Sequence, residues 1–450
     1  MRTTTDEERA DGRSRRSAIS RSSHGDWTPA PDRPDPVGVL NAANADRLPD
    51  LVPIRFGRMA ASPFAFLRGS ASVMAADLGA VPTTGLRVQA SGDCHLMNFG
   101  LFATPERHVV FGLNDFDETM PGPWEWDVKR LAASFVVASQ DVRLDDDQAR
   151  AIAVTAVRSY RERITEMAAM SPLEIWYDRI DLERLIADAP DKAARSARTD
   201  LLKKARRRVA EDLFPKLIRD AGGGRGIKDQ PPLIFHLDEV TPETVGPFVA
   251  SYRASLDDDR RVLFDRYEVE DVAVKVVGVG SVGTRCFVVL LRDNADRPLL
   301  LQVKEASRSV LAPYAEDAST IPVQVNEGHR VVVGQRLMQP ASDLFLGWGT
   351  GPNGRHFYIR QLRDMKLSVT LTGDVLRMTR YAEFCGKALA RAHANSGSAS
   401  AIAGYLGSSA RFDDAIGEFA ARYATQTVAD HHALVQAIED GRVEAIFETE

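Results

Sequence analysis

Residue types that suit phosphate chemistry occur close together in the segment Ser91–Gly100, which reads SGDCHLMNFG. Asp93 and Asn98 stand five positions apart, on a turn between two strand-like runs. An aspartate there can orient an attacking hydroxyl and accept its proton, while an asparagine oxygen can hold magnesium on nucleotide phosphates. His95 is the second catalytic-site candidate, expected to brace the loop rather than to bind a metal. The structural alternative is a polar turn that an Asx side chain stabilises.

A second acidic segment, Leu113–Thr119, follows the next strand-like run. Carboxylates are hard oxygen ligands, which magnesium prefers, so we predict that Asp115 is a metal ligand together with Asn98. Asp117 is expected to support Asp115 or to contact the metal itself. A solvated acidic turn is the structural alternative for this segment.

A glycine-rich segment, Val276–Thr284, provides a third element. A helix after such a motif indicates dinucleotide binding, but the β-branched and aromatic run Cys286–Leu291 predicts a strand. A glycine turn between strands covers ATP phosphates in kinases, although a simple hairpin is the alternative. A lysine ends the next strand, where kinases keep their phosphate-binding lysine and where surface lysines are also common. The predicted cofactor-binding residues here are Gly278, Gly280, Ser281, Gly283 and Lys304.

The order of these elements differs from that of ordinary protein kinases. In kinases the glycine loop and its lysine precede the catalytic loop, whereas here Gly278 and Lys304 follow Asp93. The segment Tyr381–His393 resembles the helix that leads into the catalytic loop of aminoglycoside and choline kinases. We therefore expect an α+β, two-lobed, protein-kinase-like fold that is circularly permuted, which is tolerated when the opened and joined points lie at the surface.

The hydrophobic pattern predicts a helical, then a β-rich, then again a helical part. The first residues are rich in Arg, Ser, Asp and Pro, which indicates a mobile tail. The predicted division is a tail at 1–45, the first part of a large helical lobe with both loops at 46–250, a small β-rich nucleotide-binding lobe at 251–366, and the rest of the large lobe at 367–450.

Several further residues have open or secondary roles. In kinases a Glu on a small-lobe helix pairs with the lysine, and Glu327 and Gln335 are both candidates. The hinge beside the adenine is expected at Arg363, Asp364 and Lys366. Three arginines ahead of the catalytic loop could meet an anionic substrate or brace the lobe; they are Arg55, Arg58 and Arg68.

Longer segments extend the resemblance. The run from Asp115 through Gly122 to Asp127 resembles aminoglycoside phosphotransferases, which implies that Asp127 is a structural cap near the loop. The segments SPFAFLRG at Ser62–Gly69 and FYIRQLRDMK at Phe357–Lys366 are similar to the uncharacterised bacterial family numbered 2252 among the domains of unknown function. This resemblance covers about residues 45 to 435 and implies no substrate.

Composition excludes several classes of protein. Of the 450 residues, 44% are apolar and 27% charged, typical of a globular chain. The net charge of −6 disfavours a nucleic-acid partner. The three cysteines form no CxxC pair, so neither a zinc site nor a disulfide framework is indicated. No apolar run is long enough to span a membrane and the first residues lack a signal-peptide core, so a cytoplasmic location without membrane contact is expected.

The expected function is an ATP- and magnesium-dependent phosphotransferase whose partners are a nucleotide and a small-molecule hydroxyl acceptor. One alternative is nucleotidyl (AMP) transfer with ATP in a flipped orientation. A second is a nucleotide-binding regulatory module without turnover. A third is a metal-dependent hydrolase that uses His95, His108 and the acidic residues Asp93, Asp115 and Asp117. Neither the acceptor nor the oligomeric state follows from the sequence.

Overall fold

The structure is a computed structural model that describes residues 4–189, 191–207, 214–219, 226–276, 278–315, 325–362 and 367–447. The predicted hinge residues Arg363, Asp364 and Lys366 lie outside these ranges. The helices are α1 Thr5–Ser14, α2 Pro36–Ala43, α3 Val52–Ala60, α4 Pro63–Gly69, α5 Ala71–Gly79, α6 Trp124–Asp141, α7 Asp146–Met167, α8 Pro172–Tyr177, α9 Leu182–Ala187, α10 Lys192–Arg206, α11 Phe214–Leu217, α12 Gly246–Ser255, α13 Asp258–Phe264, α14 Glu327–Met338, α15 Val375–Ala394, α16 Ala399–Leu406 and α17 Arg411–Glu439. The strands are β1 Arg87–Ala90, β2 Phe99–Ala103, β3 Val109–Leu113, β4 Met120–Pro123, β5 Ile180–Asp181, β6 Ile218–Arg219, β7 Gly226–Ile227, β8 Ile234–Phe235, β9 Tyr267–Lys275, β10 Cys286–Asp293, β11 Pro298–Glu305, β12 Gly347–Thr350, β13 His356–Gln361 and β14 Leu367–Ser368.

This mixture of helices and antiparallel sheets confirms the predicted α+β class. The largest sheet has six strands in the order β12-β13-β11-β10-β9-β8. Its strands β9 and β10 flank the glycine-rich segment and pair antiparallel, so a strand rather than a helix follows the glycines, as predicted. The sheet also includes β8, which precedes the predicted start of the β-rich part at residue 251.

The central strand β11 is apolar along both faces because both faces of the sheet are covered. Leu299 and Leu301 face a core built with α12 and α13, whereas Leu300 faces a second core with Ile218 and Ile234. This explains why the strand reads as a continuous apolar run instead of alternating with polar residues. Because side chains along a strand alternate between the two faces of the sheet, Lys304 lies on the same face as Leu300, away from α12 and α13.

The helical part forms one core from two distant stretches of the chain. Helix α7 packs against α6, α15 and α17, and α17 also packs against α6. Leu131 of α6, Leu389 of α15 and Phe419 of α17 belong to the same buried cluster. Helix α15 contains the predicted segment Tyr381–His393, whose apolar stripe is buried as its helical spacing requires.

The prediction of a mobile tail at residues 1–45 is corrected by the structure, because residues 4–45 dock on the helical core. Helix α1 packs against α16. The guanidinium of Arg16 donates to the carbonyls of Tyr405 and Gly404, and Arg21 donates to that of Leu406. These carbonyls end a helix and lack partners within it. The segment therefore docks through arginines on a helix end, which a search for apolar periodicity does not detect.

We predict that Gly12→Leu lowers the free energy of unfolding by about 1–3 kcal/mol because α1 can no longer approach α16. A Cβ at Gly12 would lie 1.9 Å from the Ala401 carbonyl oxygen. Urea unfolding measures the change, and Ala10→Leu, on the exposed side of α1, is the matched control. Equal stability of the two variants would contradict the docking of α1.

A pH prediction follows from His24, which is buried and hydrogen-bonded to the Tyr405 hydroxyl at 2.7 Å. Burial, with a smaller contribution from Lys129, lowers the pKa of His24 to about 3. Between pH ~6.5 and about 3, the unfolded chain therefore binds one more proton than the folded chain. The free energy of unfolding decreases by roughly 1.4 kcal/mol for each unit by which the pH is lowered through this range. His24→Gln should flatten this slope in urea titrations, whereas the exposed control His432→Gln should keep it. Parallel slopes in both variants would contradict the prediction.

Candidate active site

Two antiparallel pairings bring the polar loops together. Strands β2 and β3 pair with Phe99 opposite Leu113, and the Asn114 amide donates to the Asn98 carbonyl at 2.8 Å. Strands β1 and β4 pair with Ala90 opposite Met120. The loop between β1 and β2 and the loop between β3 and β4 therefore leave the strands at the same end, as antiparallel register requires. We call them the Asp93 loop (residues 91–98) and the Asp115 loop (residues 114–119).

The Asp93 loop is a compact turn with its two candidate side chains turned to the same side. The Asn98 side-chain amide donates from Nδ2 to the Asp93 carbonyl at 2.7 Å, which leaves its Oδ1 for a cation. Arg130 of α6 donates to Asp93 Oδ1 from Nε at 2.7 Å. Arg130 therefore holds only one of the two carboxylate oxygens of Asp93. The other oxygen, Oδ2, lies 3.8 Å from His95 Nε2.

Asp127 fastens the start of the Asp93 loop. Its carboxylate accepts from the amides of Ser91 at 2.6 Å and Gly92 at 3.0 Å, and His393 of α15 lies 3.1 Å away. The expectation of a structural role near the loop agrees with these contacts. Helix α6 begins at Trp124, so Asp127 lies inside the first turn of the helix and caps loop amides, not its own helix.

Gly92 is required by the approach of the two loops. Its φ is +81°, a left-handed conformation that favours glycine. A Cβ there would lie 2.3 Å from the Glu118 carbonyl oxygen in the Asp115 loop.

His95 is buried beside Asp93. Burial lowers its pKa to about 4 against the opposing effect of Asp93, so the ring is neutral near pH 7. Its backbone amide donates to the Asp93 carbonyl, and its carbonyl accepts from the Asn98 amide. These contacts agree with a bracing function.

Lys304 connects the β-rich part to the Asp115 loop. Its ammonium is hydrogen-bonded to Asp117 Oδ2 and lies 3.6 Å from Asp115 Oδ1. The Tyr358 hydroxyl donates to Asp117 Oδ1 at 2.5 Å, and the Ser281 hydroxyl donates to Asp117 Oδ2 at 3.2 Å. Asp117 thus accepts hydrogen bonds from Lys304, Ser281 and Tyr358.

The charge of this cluster is stable near neutral pH. Burial alone would lower the pKa of Lys304, but Asp115 and Asp117 raise it well above its usual value. Burial, reinforced by Asp117, raises the pKa of the Tyr358 hydroxyl. A protonated ammonium and a protonated phenol therefore face the carboxylates, an arrangement that suits phosphate oxygens and a divalent cation.

The glycine-rich segment is held by the N-terminal helices as well as by the sheet. The Leu48 amide donates to the Gly283 carbonyl at 2.8 Å. Arg47 donates to the Val282 carbonyl at 2.5 Å, and Arg58 donates to the Gly278 carbonyl. Residue spacing carries no signal for these contacts, because they join segments more than 200 positions apart.

One cavity of about 310 Å³ joins these features. The predicted site residues Asp93, His95, Asn98, Asp115, Asp117, Gly278, Gly280 and Ser281 line it. Lys304 contacts two of them, and Gly283 lies within the segment that borders the cavity.

Glu327 and Gln335 do not meet Lys304, which corrects both candidates. Glu327 pairs with Arg330 within α14, and the Gln335 amide donates to Gln339. Arg330 reaches the Asp115 loop instead, donating to the carbonyls of Thr119 and Asp117. The helix therefore supports the loop through an arginine, and Asp115 and Asp117 provide the acids near Lys304.

Sequence reasoning missed Arg130, Arg330 and Tyr358. The pattern of apolar and polar residues does not distinguish these positions from others in the same helix or strand, although Arg130 and Arg330 are buried charges. A charged residue within an apolar stripe is the signal that could have indicated the first of them.

A magnesium ion that arrives with a nucleotide fits these residues better than a tightly held transition metal. Across the described ranges, no group of three or more His, Cys, Asp or Glu side chains could hold a metal ion. His108, which the hydrolase alternative needs, lies instead beside Glu183 at 3.2 Å. Magnesium is usually held by one or two carboxylates plus substrate phosphates, and Asn98 and Asp115 can supply the protein ligands.

The fold and cavity define an α+β protein whose polar cavity lies where an antiparallel sheet meets a helical core. The chain belongs to the family DUF2252, described as uncharacterized protein conserved in bacteria, whose family model matches residues 47–437. Comparisons with the curated proteins and with the solved structures found no match. None of the helices within the described ranges is both long enough and apolar enough to cross a bilayer.

We predict that Asp127→Asn destabilises the protein by about 1–3 kcal/mol, because the two buried loop amides lose a charged acceptor. Hydrogen exchange at Ser91 and Gly92 should also accelerate. Chemical unfolding and amide exchange measure both effects, and Asp147→Asn, at an exposed position, is the control. Unchanged exchange at the two loop amides would contradict the bracing role.

Proposed function

We propose that this protein is an ATP- and magnesium-dependent phosphotransferase of a circularly permuted kinase-like fold, which acts on a small-molecule hydroxyl. The observation that carries the proposal is the convergence in one cavity of Asp93, Asn98 and Asp115 with the glycine-rich segment, beside Lys304. These are the parts that phosphoryl transfer requires, because its catalysis consists mainly of positioning and charge stabilisation.

Asp93 would orient the acceptor hydroxyl and take its proton. The acceptor oxygen forms a bond to the γ-phosphorus, the bond from that phosphorus to the bridging oxygen of ADP breaks, and the hydroxyl proton passes to Asp93. Because Arg130 holds Oδ1, Oδ2 is the oxygen that would accept the proton. The products are a phosphate ester, ADP and a proton released to solvent.

Asn98 and Asp115 would hold the magnesium ion, which neutralises charge on the phosphate oxygens. Lys304, protonated and buried beside Asp115, would contact the same phosphates. The amides of Gly280 and Ser281 border the cavity and can approach phosphate closely because Gly280 has no side chain.

The contacts of α15 support the permuted arrangement. In ordinary kinase-like proteins a helix leads directly into the catalytic loop. Here Tyr381 of α15 donates its hydroxyl hydrogen to the carbonyls of Leu96 at 2.5 Å and Phe99 at 3.1 Å. The helix that resembles this element thus touches the Asp93 loop, although it follows that loop by more than 280 positions.

We assign the nucleotide base to a second cavity of about 590 Å³. Asn114 lines this cavity, and the next residue, Asp115, lines the first. Leu299, Leu362 and Phe102 are apolar residues of its lining, which also includes many polar residues, among them Gln302, Gln335 and Arg360. Apolar surface combined with amide and guanidinium groups can hold a flat heterocycle that carries hydrogen-bonding atoms.

The test uses Asp115→Asn and Lys304→Met, with Asp147→Asn as the control. Calorimetry should show Mg·ATP binding to the wild type and the control, and binding at least about tenfold weaker in the two site variants. Turnover with a panel of hydroxyl compounds should fall about 10²–10³-fold in the site variants. Mass spectrometry of the products should show a gain of one phosphate group.

The outcomes separate the candidate functions. Full ATP turnover and magnesium dependence in Asp115→Asn would overturn the proposal. A product that gains AMP would indicate nucleotidyl transfer, and ATP binding without transfer to any acceptor would favour a regulatory module.

A further inference from the structure

Three arginines line the cavity without an acidic partner. Arg47, Arg55 and Arg68 come from the N-terminal helical segment and border the same cavity as Asp93. Among the described residues, none of the three lies within salt-bridge distance of a carboxylate, whereas Arg130 and Arg330 each have one. An unpaired buried guanidinium is costly, by several kcal/mol per ion, so the cluster requires an explanation.

Their hydrogen bonds are incomplete. Arg55 is 2% exposed and donates to Asn44 Oδ1 at 2.9 Å and to the Gly69 carbonyl at 2.5 Å. Arg47 donates to the Val282 carbonyl. The Nε of Arg47, Arg55 and Arg68 is buried in each case and has no hydrogen-bond partner. Hydrogen bonds to Asn44 and to backbone carbonyls therefore use only some of the N–H donors of these arginines.

Burial dominates the electrostatics of all three side chains. It lowers the pKa of Arg47, of Arg55 and of Arg68. Arg47 adds repulsion to Arg55, while Asp93 partly offsets burial at Arg68. Glu118 offsets part of the effect of burial at Arg47 and Arg55, so the cluster is a region of positive charge that nearby carboxylates compensate only in part.

Several acids that line the cavity are paired with other cations. Asp93 is paired with Arg130, and Asp117 with Lys304. Glu305 is paired with Arg285 and Arg355. Glu118, which also lines the cavity, offsets burial in part at Arg47 and Arg55, but within the part of the chain that the structure describes it forms no ion pair with either.

We propose that Arg47, Arg55 and Arg68 form a subsite for an anionic group of the acceptor, a phosphate or a carboxylate. This inference rests on the proposed function. The triphosphate is assigned to the side of Lys304 and Asp115, whereas Arg68 lines the same cavity as Asp93, which would orient the acceptor. An acceptor with a hydroxyl and an anionic group would place its hydroxyl at Asp93 and its charge on the arginines. The preferred acceptor is thus opposite in charge to aminoglycosides and choline.

The test uses inorganic phosphate as the probe of the subsite. Phosphate is titrated by calorimetry into the full chain, with and without bound magnesium and a non-hydrolysable ATP analogue. Saturation by the analogue fills the triphosphate position, so phosphate that still binds occupies another site. The variants are Arg68→Gln and Arg68→Lys, and Arg377→Gln, an exposed arginine at the start of α15, is the control.

We expect one phosphate per chain in the presence of the analogue, with affinity about tenfold weaker in Arg68→Gln and less reduced in Arg68→Lys. Affinity for the analogue should stay within about twofold of the wild type in every variant. If Arg68→Gln fails to fold, Arg68→Lys should still bind phosphate more weakly than Arg377→Gln, because an ammonium replaces only part of the donor set of a guanidinium.

Three results would overturn the inference. These are equal phosphate affinity in Arg68→Gln and Arg377→Gln, no phosphate binding to the analogue complex at about 10 mM, or loss of analogue affinity in Arg68→Gln. Failure of the proposed function has a different signature, since the analogue would then bind no variant. Phosphate titration of the nucleotide-free protein would still report on the arginine cluster in that case.

Discussion

The ion cluster of the buried Lys304 with the half-buried Asp115 and Asp117 is the interaction on which the site depends. Lys304 ends β11 of the β-rich part, and both acids belong to the Asp115 loop of the helical part. A buried ammonium is tolerated only when carboxylates and hydrogen bonds compensate its lost hydration. The cluster therefore couples the position of the six-stranded sheet to that of the loop, with Tyr358 and Ser281 as additional donors.

The supports of the two loops follow from this requirement. Antiparallel register alone brings the loops to the same strand ends, but it leaves their polar backbone groups without partners. Asp127 accepts from the amides of the Asp93 loop, and Arg330 donates to carbonyls of the Asp115 loop. Charged groups make strong hydrogen bonds, so these two side chains hold both loops in one arrangement around the cavity.

The local parts of the site could be predicted from the sequence, and their partners could not. The strand-like runs around the Asp93 loop and the strand after the glycines follow from short-range patterns of apolar residues, and all are present. The expected partner of Lys304 was wrong because contacts between distant segments leave no periodic signal. For the same reason, the docking of residues 4–45 through Arg16 and Arg21 contradicted their tail-like composition.

A crystal structure with manganese and a non-hydrolysable ATP analogue would show where the metal and the triphosphate bind, because the anomalous scattering of manganese locates the metal. We predict a manganese peak in contact with Asn98 Oδ1 and the Asp115 carboxylate, with the analogue's phosphates beneath Gly280 and beside the Lys304 ammonium. An analogue bound away from Lys304, or a manganese ion that contacts neither Asn98 nor Asp115, would contradict this prediction.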